Sequence, residues 1–158
     1  MDTLTVNSLS FAEQFVIWAT RISLCQDVST EQAQDTLEIA FERLRIPEAL
    51  HSFLDFVGVA AIAWNNADRV PDVHCTQCPS VGEDEWRLLQ AVAALQRRDV
   101  NLASSWIRDT MPPTCMRMFI DRGLHFAHTL QQRGCVLSIA GTSLSNAPLQ
   151  RRCNALLH

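Results

Sequence analysis

His74, Cys75 and Cys78 are the residues of this chain whose types and spacing best suit chemistry. In the pattern His-Cys-x-x-Cys, two thiols three positions apart can turn toward one centre and hold one edge of a tetrahedral zinc site as thiolates. A closed site needs two further ligands. His125 and His128 have the same spacing and share one face of a predicted helix, so they are the candidates to complete it. His74 or Cys115 could replace one of them. Residues 79–124 intervene, which is far longer than zinc-finger spacing. The competing expectation is that Cys75 and Cys78 are ordinary thiols in a loop packed over helices. A third is a redox pair, because Cys-x-x-Cys supports thiol–disulfide exchange. No strand pattern precedes this one, and Pro79 follows it, unlike thioredoxin-type sites.

Other chemistry-bearing patterns are thinner. Glu48-x-x-His51 matches half of a di-iron carboxylate site, and no second Glu-x-x-His is present. There is no Gly-x-Ser-x-Gly elbow and no Gly-rich phosphate loop. A pocket enzyme would need His51, His125 or His128 to converge with acids such as Asp55 or Asp121. All 13 basic residues are arginines, so Schiff-base, P-loop-lysine and serine–lysine chemistry are excluded. Such arginine bias fits a GC-rich bacterial genome. Arg97-Arg98 and Arg151-Arg152 are the only basic doublets, and a net charge of −4 gives no field for nucleic acid.

The elements that must position these groups are helical. Ser10 with Glu13 and Ser29 with Gln32 fit capping boxes, and Ser80 with Glu83 fits a third. Helices are expected over 10–24, 30–44, 47–64, 80–98, 102–110 and 112–133, each with an apolar stripe at helical spacing. Pro47 suits a helix first turn, and Gly134 suits a left-handed helix end. Residues 57–63 are apolar or small on nearly every side, which marks the third helix as central. Residues 1–9 read as frayed, 138–146 as irregular, and 146–157 as a short seventh helix. The four tryptophans, Trp18, Trp64, Trp86 and Trp106, fall on apolar stripes and are expected in the core.

With 158 residues, the chain suits one domain able to bury roughly 70% of its unfolded surface. The expected fold is all-α: one bundle-like domain, with helical halves 10–64 and 80–137 joined by the loop 65–79 and an irregular tail 138–158. Consecutive helices are expected to pair within each half. No apolar run reaches the roughly 20 residues that a membrane span needs. No basic stretch leads into an apolar one near Met1, so no secretory signal is read there. The six cysteines are therefore expected as cytoplasmic thiols.

The run Cys-Pro-x-Val-x-x-Asp-Glu-x-x-Leu-Leu at residues 78–89, followed by Leu95-Gln96, resembles small all-helical bacterial proteins of unknown function. The resemblance covers residues 10–137. It implies a helical fold and no assigned activity. The leading functional expectation is a non-enzymatic cytoplasmic protein that self-associates as a homo-oligomer or binds another protein. It does so without nucleic acid, membrane or cofactor. The alternative is a zinc-binding or thiol-based sensor centred on residues 74–78.

Overall fold

The structure is a computed structural model, described over residues 4–24 and 29–138. It is all-α. Six helices follow one another: α1 (Phe11–Leu24), α2 (Thr30–Arg43), α3 (Ala49–Asn66), α4 (Glu83–Gln96), α5 (Val100–Ile107) and α6 (Pro113–Gln132). The expected seventh helix and most of the tail lie outside the described residues.

The first two amino-terminal caps form as the serine spacing implies. Ser10 N–H donates to Glu13 Oε2 at 2.8 Å, and Glu13 N–H donates back to Ser10 Oγ at 3.3 Å. Ser29 Oγ accepts the Gln32 N–H at 3.2 Å. Gly134 closes α6 with φ 78°, a conformation that glycine adopts without a Cβ clash. Pro47 falls in a turn before α3, which starts two residues later. Asp99 caps α5 by accepting the Leu102 N–H at 3.0 Å, so α5 begins earlier than its apolar pattern suggests.

The surrounded helix is α4, not α3. Every residue from 88 to 96 is buried, whereas Ile62 on α3 is 60% exposed. Small residues explain this: Ala91, Ala93 and Ala94 let α4 sit between α1, α5 and α6. Gly123 of α6 approaches so closely that a Cβ there would lie 2.7 Å from Leu95 Cδ1. The most extensive helix pairing is α3 with α6, across the expected halves rather than within one. An aromatic chain ties the two halves together: Phe15, Phe41, Phe53, Phe56, Phe119 and Phe126 meet ring to ring at 5.0–5.5 Å. Trp64 is buried in the same core, while Trp18, Trp86 and Trp106 are half-buried against it.

The segment before α1 is not frayed from residue 4 onward. Val6 N–H donates to Pro79 O at 2.8 Å, and Val81 N–H donates to Leu4 O at 3.0 Å. Thr5 and Ser80 thus form a short antiparallel bridge that pins the long loop to the start of the chain.

Candidate functional site: a cysteine and a histidine over a buried ion pair

The long loop stays in place because α4 presents two buried carboxylates to it. Asp84 and Glu85 are each 1% exposed. Glu85 receives Arg21 of α1 in a two-pronged pair, Nε to Oε1 at 2.7 Å and Nη2 to Oε2 at 2.9 Å. A fork of this kind suits the planar guanidinium and makes strong charge-assisted bonds. Arg21 then reaches the loop: Nη1 donates to Cys78 O and Nη2 to Ser80 O, both at 2.7 Å. Glu85 also accepts the His74 N–H at 3.0 Å and the Gly82 N–H at 2.8 Å. Asp84 accepts Arg69 Nη2 and the Asp72 N–H, both at 2.8 Å.

Gly82, not Ser80, is therefore the residue that caps α4, with Glu85 reaching back to it and Asp72 Oδ2 accepting the Glu83 N–H at 2.6 Å. The serine-to-glutamate spacing at 80–83 misplaced this cap because Ser80 has other work. A Cβ on Gly82 would lie 2.1 Å from Asp72 O, so the loop backbone crosses too close for any side chain.

On this foundation stand His74, Cys78 and Ser80. His74 Nδ1 lies 3.0 Å from Ser80 O, 3.1 Å from Ser80 Oγ and 3.6 Å from Cys78 Sγ. His74 Nε2 lies 3.1 Å from Asp72 Oδ1. Both ring nitrogens face acceptors, an arrangement best met by an imidazolium that donates from each. Accordingly the hydrogen bond to Ser80 O raises the His74 pKa against the opposing effect of burial, with Glu85, Asp72 and Cys78 adding to the rise. Cys78 shifts the other way. The Ser80 hydroxyl, 3.3 Å from its sulfur, and the Ser80 backbone lower the thiol pKa, and the charges of His74 and Arg21 assist. The two titrations move toward each other, which favours the thiolate–imidazolium pair relative to the neutral pair.

Cys75 is exposed and belongs to the same turn, where Cys78 N–H donates to Cys75 O at 3.1 Å. The ends of such a turn have Cα atoms within about 7 Å, a span that overlaps the usual disulfide range. Both sulfurs sit in the field of Arg21, whose pKa is raised chiefly by its hydrogen bond to Glu85 and further by Cys78 and Cys75. Cys75, Cys78 and Cys115 are free thiols, and Cys135 is buried. Cys25 and Cys153 lie outside the described residues.

The structure brings His74, Cys75 and Cys78 together at the amino-terminal end of α4 and leaves the other proposed ligands elsewhere. His125 and His128 are exposed on α6 and line a cavity of about 300 Å³ with Leu95, Gln96 and Arg98, at the other end of α4. Glu85 and Leu95 are ten residues apart, about 15 Å along the axis. Cys115 sits in the first turn of α6, half-buried against the core. The Cys-x-x-Cys and His-x-x-His pairs thus do not meet. Among the described residues, no group of three or more His, Cys, Asp or Glu side chains is placed to hold a metal ion. The pocket-enzyme set is likewise spread over the surface. The exposed His51 pairs with Asp55 of its own helix at 3.5 Å, and Asp121 is exposed beside Arg122.

Arg21, Asp72, Asp84 and Glu85 escaped the sequence reading as site residues, and Ser80 was read only as a helix cap. The acidic run Glu83-Asp84-Glu85 was legible as a helix start favoured by the dipole, but its burial was not. The one usable signal was Arg21, a lone charge between the apolar Trp18 and Ile22 on α1.

Compared with known proteins, the chain matches no family model, no curated protein and no solved structure. Among the described residues no helix is long and apolar enough to cross a membrane.

Proposed function

We propose that the protein is a thiol-based redox sensor in which Cys78 is the reacting thiolate and Cys75 its disulfide partner. The observation that carries this reading is the placement of Cys78 Sγ within 3.6 Å of His74 Nδ1 and 3.3 Å of Ser80 Oγ. The reading needs a reducing compartment, the cytoplasm, in which the dithiol is the resting form. Its oxidant is a hydroperoxide. The Cys78 thiolate attacks the peroxide oxygen, the O–O bond breaks, and the alkoxide leaves with a proton, giving a sulfenic acid. The Cys75 sulfur then attacks the Cys78 sulfur, a disulfide forms, and water departs with the Cys75 proton. Two electrons pass from the thiols to the peroxide, and a cellular dithiol resets the switch.

The reading is non-catalytic in its output: the changed turn is sensed by a protein partner or a second copy. Broad apolar adhesion draws less support. Among the described residues the exposed large apolar side chains, Ile39, Ile62, Val70, Val100, Met118 and Val136, fall one to a segment, which is the ordinary scatter of a folded surface.

The test is alkylation mass spectrometry across pH, followed by hydroperoxide treatment. Expected are faster iodoacetamide labelling of Cys78 than of Cys115 at neutral pH and a Cys75–Cys78 disulfide after peroxide. Cys75→Ser should accumulate a dimedone-reactive sulfenic acid at Cys78. Equal labelling of all thiols at neutral pH, or peroxide treatment without that disulfide, would sink the proposal. So would one equivalent of zinc retained by the wild type and lost in Cys75→Ser, which would restore the metal reading.

A further inference from the structure

Beside the cysteine turn lies a second feature, independent of thiol chemistry. A cleft of about 370 Å³ opens between one face of α1, the end of α2 and Thr76 of the loop. Its size falls at the lower end of small-molecule pockets. Its walls are mainly apolar: Phe11, Phe15 and Trp18 from α1 and Leu44 beyond α2. Phe15 and Trp18 stack at 5.9 Å, so this wall is aromatic. From Phe11 to Trp18 the α1 wall runs about 10 Å, enough for an extended chain of medium length.

Two guanidiniums line the cleft, and they differ in kind. Arg21 is buried, and its Nε, Nη1 and Nη2 are all engaged by Glu85, Cys78 O and Ser80 O. Arg43 is exposed in the last turn of α2 and makes no ion pair or side-chain hydrogen bond among the described residues. The cleft therefore offers an apolar trough with one uncommitted positive charge. One guanidinium matches one negative charge, which favours a monoanion over a dianion. We infer that the cleft is a binding site for a medium-chain aliphatic monocarboxylate, its chain along α1 and its carboxylate at Arg43.

The full-length protein is titrated with decanoate below its micellar concentration and followed by tryptophan fluorescence and calorimetry. Saturable one-to-one binding is expected. Octanoate should bind roughly ten-fold more weakly, from two fewer buried methylenes. Arg43→Gln, a surface change, should weaken decanoate by about ten-fold while leaving decanol unaffected. Ala40→Phe, which fills the cleft from α2, should abolish binding with helical content unchanged by circular dichroism. Absence of saturable decanoate binding, decanol binding as tightly as decanoate, or wild-type affinity in folded Arg43→Gln overturns the assignment.

Discussion

At its amino-terminal end α4 meets the rest of the chain through ions; at its carboxyl-terminal end it does so through an amide. Glu85 and Asp84 hold the loop 69–82 with the help of Arg21 and Arg69. Gln96 holds the segment after α6, donating to Cys135 O at 2.7 Å and accepting the Leu137 N–H at 2.8 Å. A histidine lies near the charged end and two lie near the neutral one, but only the first is held from both ring nitrogens. His74 is fixed between Asp72 and Ser80, whereas His125 and His128 stay exposed, with His128 Nε2 2.9 Å from Gln132 Nε2. A buried ion pair imposes a field on whatever lies above it, and a neutral amide imposes geometry alone. The same residue types thus become a site at one end of a helix and surface at the other.

The sharpest way to break this contrast is to remove the central charge. Arg21→Met leaves Glu85 buried without its counter-ion and should cost about 3–5 kcal/mol in urea unfolding. Gln96→Met removes two neutral hydrogen bonds and should cost about 1–3 kcal/mol. Equal losses would erase the distinction between the two ends.

Glycines test the same ends by size. Gly82→Ala drives a Cβ against loop backbone at Asp72 O and should cost about 1–3 kcal/mol. Gly123→Ala meets only the terminal methyl of Leu95, which can rotate aside, so its thermal midpoint should fall less.

Acid should act first on the ionic end. Burial pushes the Asp84 carboxyl up, but hydrogen bonds from Arg69 and the Asp72 N–H, with the charges of Arg69 and Arg87, outweigh it and hold the pKa low. A carboxyl lowered in the folded state stabilises it above the unfolded value near 3.9, and that contribution is lost as pH falls through the lowered folded value. Urea midpoints should therefore drop below about pH 4 in the wild type. Asp84→Asn should be less stable at neutral pH and show a flatter acid limb.

The smallest effect is chemical rather than structural. His74→Gln should slow Cys78 alkylation several-fold at neutral pH and move its apparent pKa up, since it removes the imidazolium at 3.6 Å. His125→Gln and His128→Gln should leave the labelling rate unchanged, because those rings sit at the opposite end of α4.

The helices were legible in the sequence because their signals are local. Ser10 with Glu13, Ser29 with Gln32, Pro113 at a helix start and Gly134 at a helix end are read within a turn or two of the backbone. The cysteine cluster at residues 74–78 was legible for the same reason. Which helix is central was not: α3 carries the more apolar sequence, yet α4 is buried because small side chains admit neighbours from several sides. By itself the sequence determined where the helices form and which thiols share a turn, since capping and periodicity depend on neighbours in the chain. Tertiary structure alone decided that Arg21 meets Glu85 across 64 positions and that His74 closes on Cys78. A charge acquires a partner, and a thiol an altered pKa, only when distant parts of the chain exclude water from the same place.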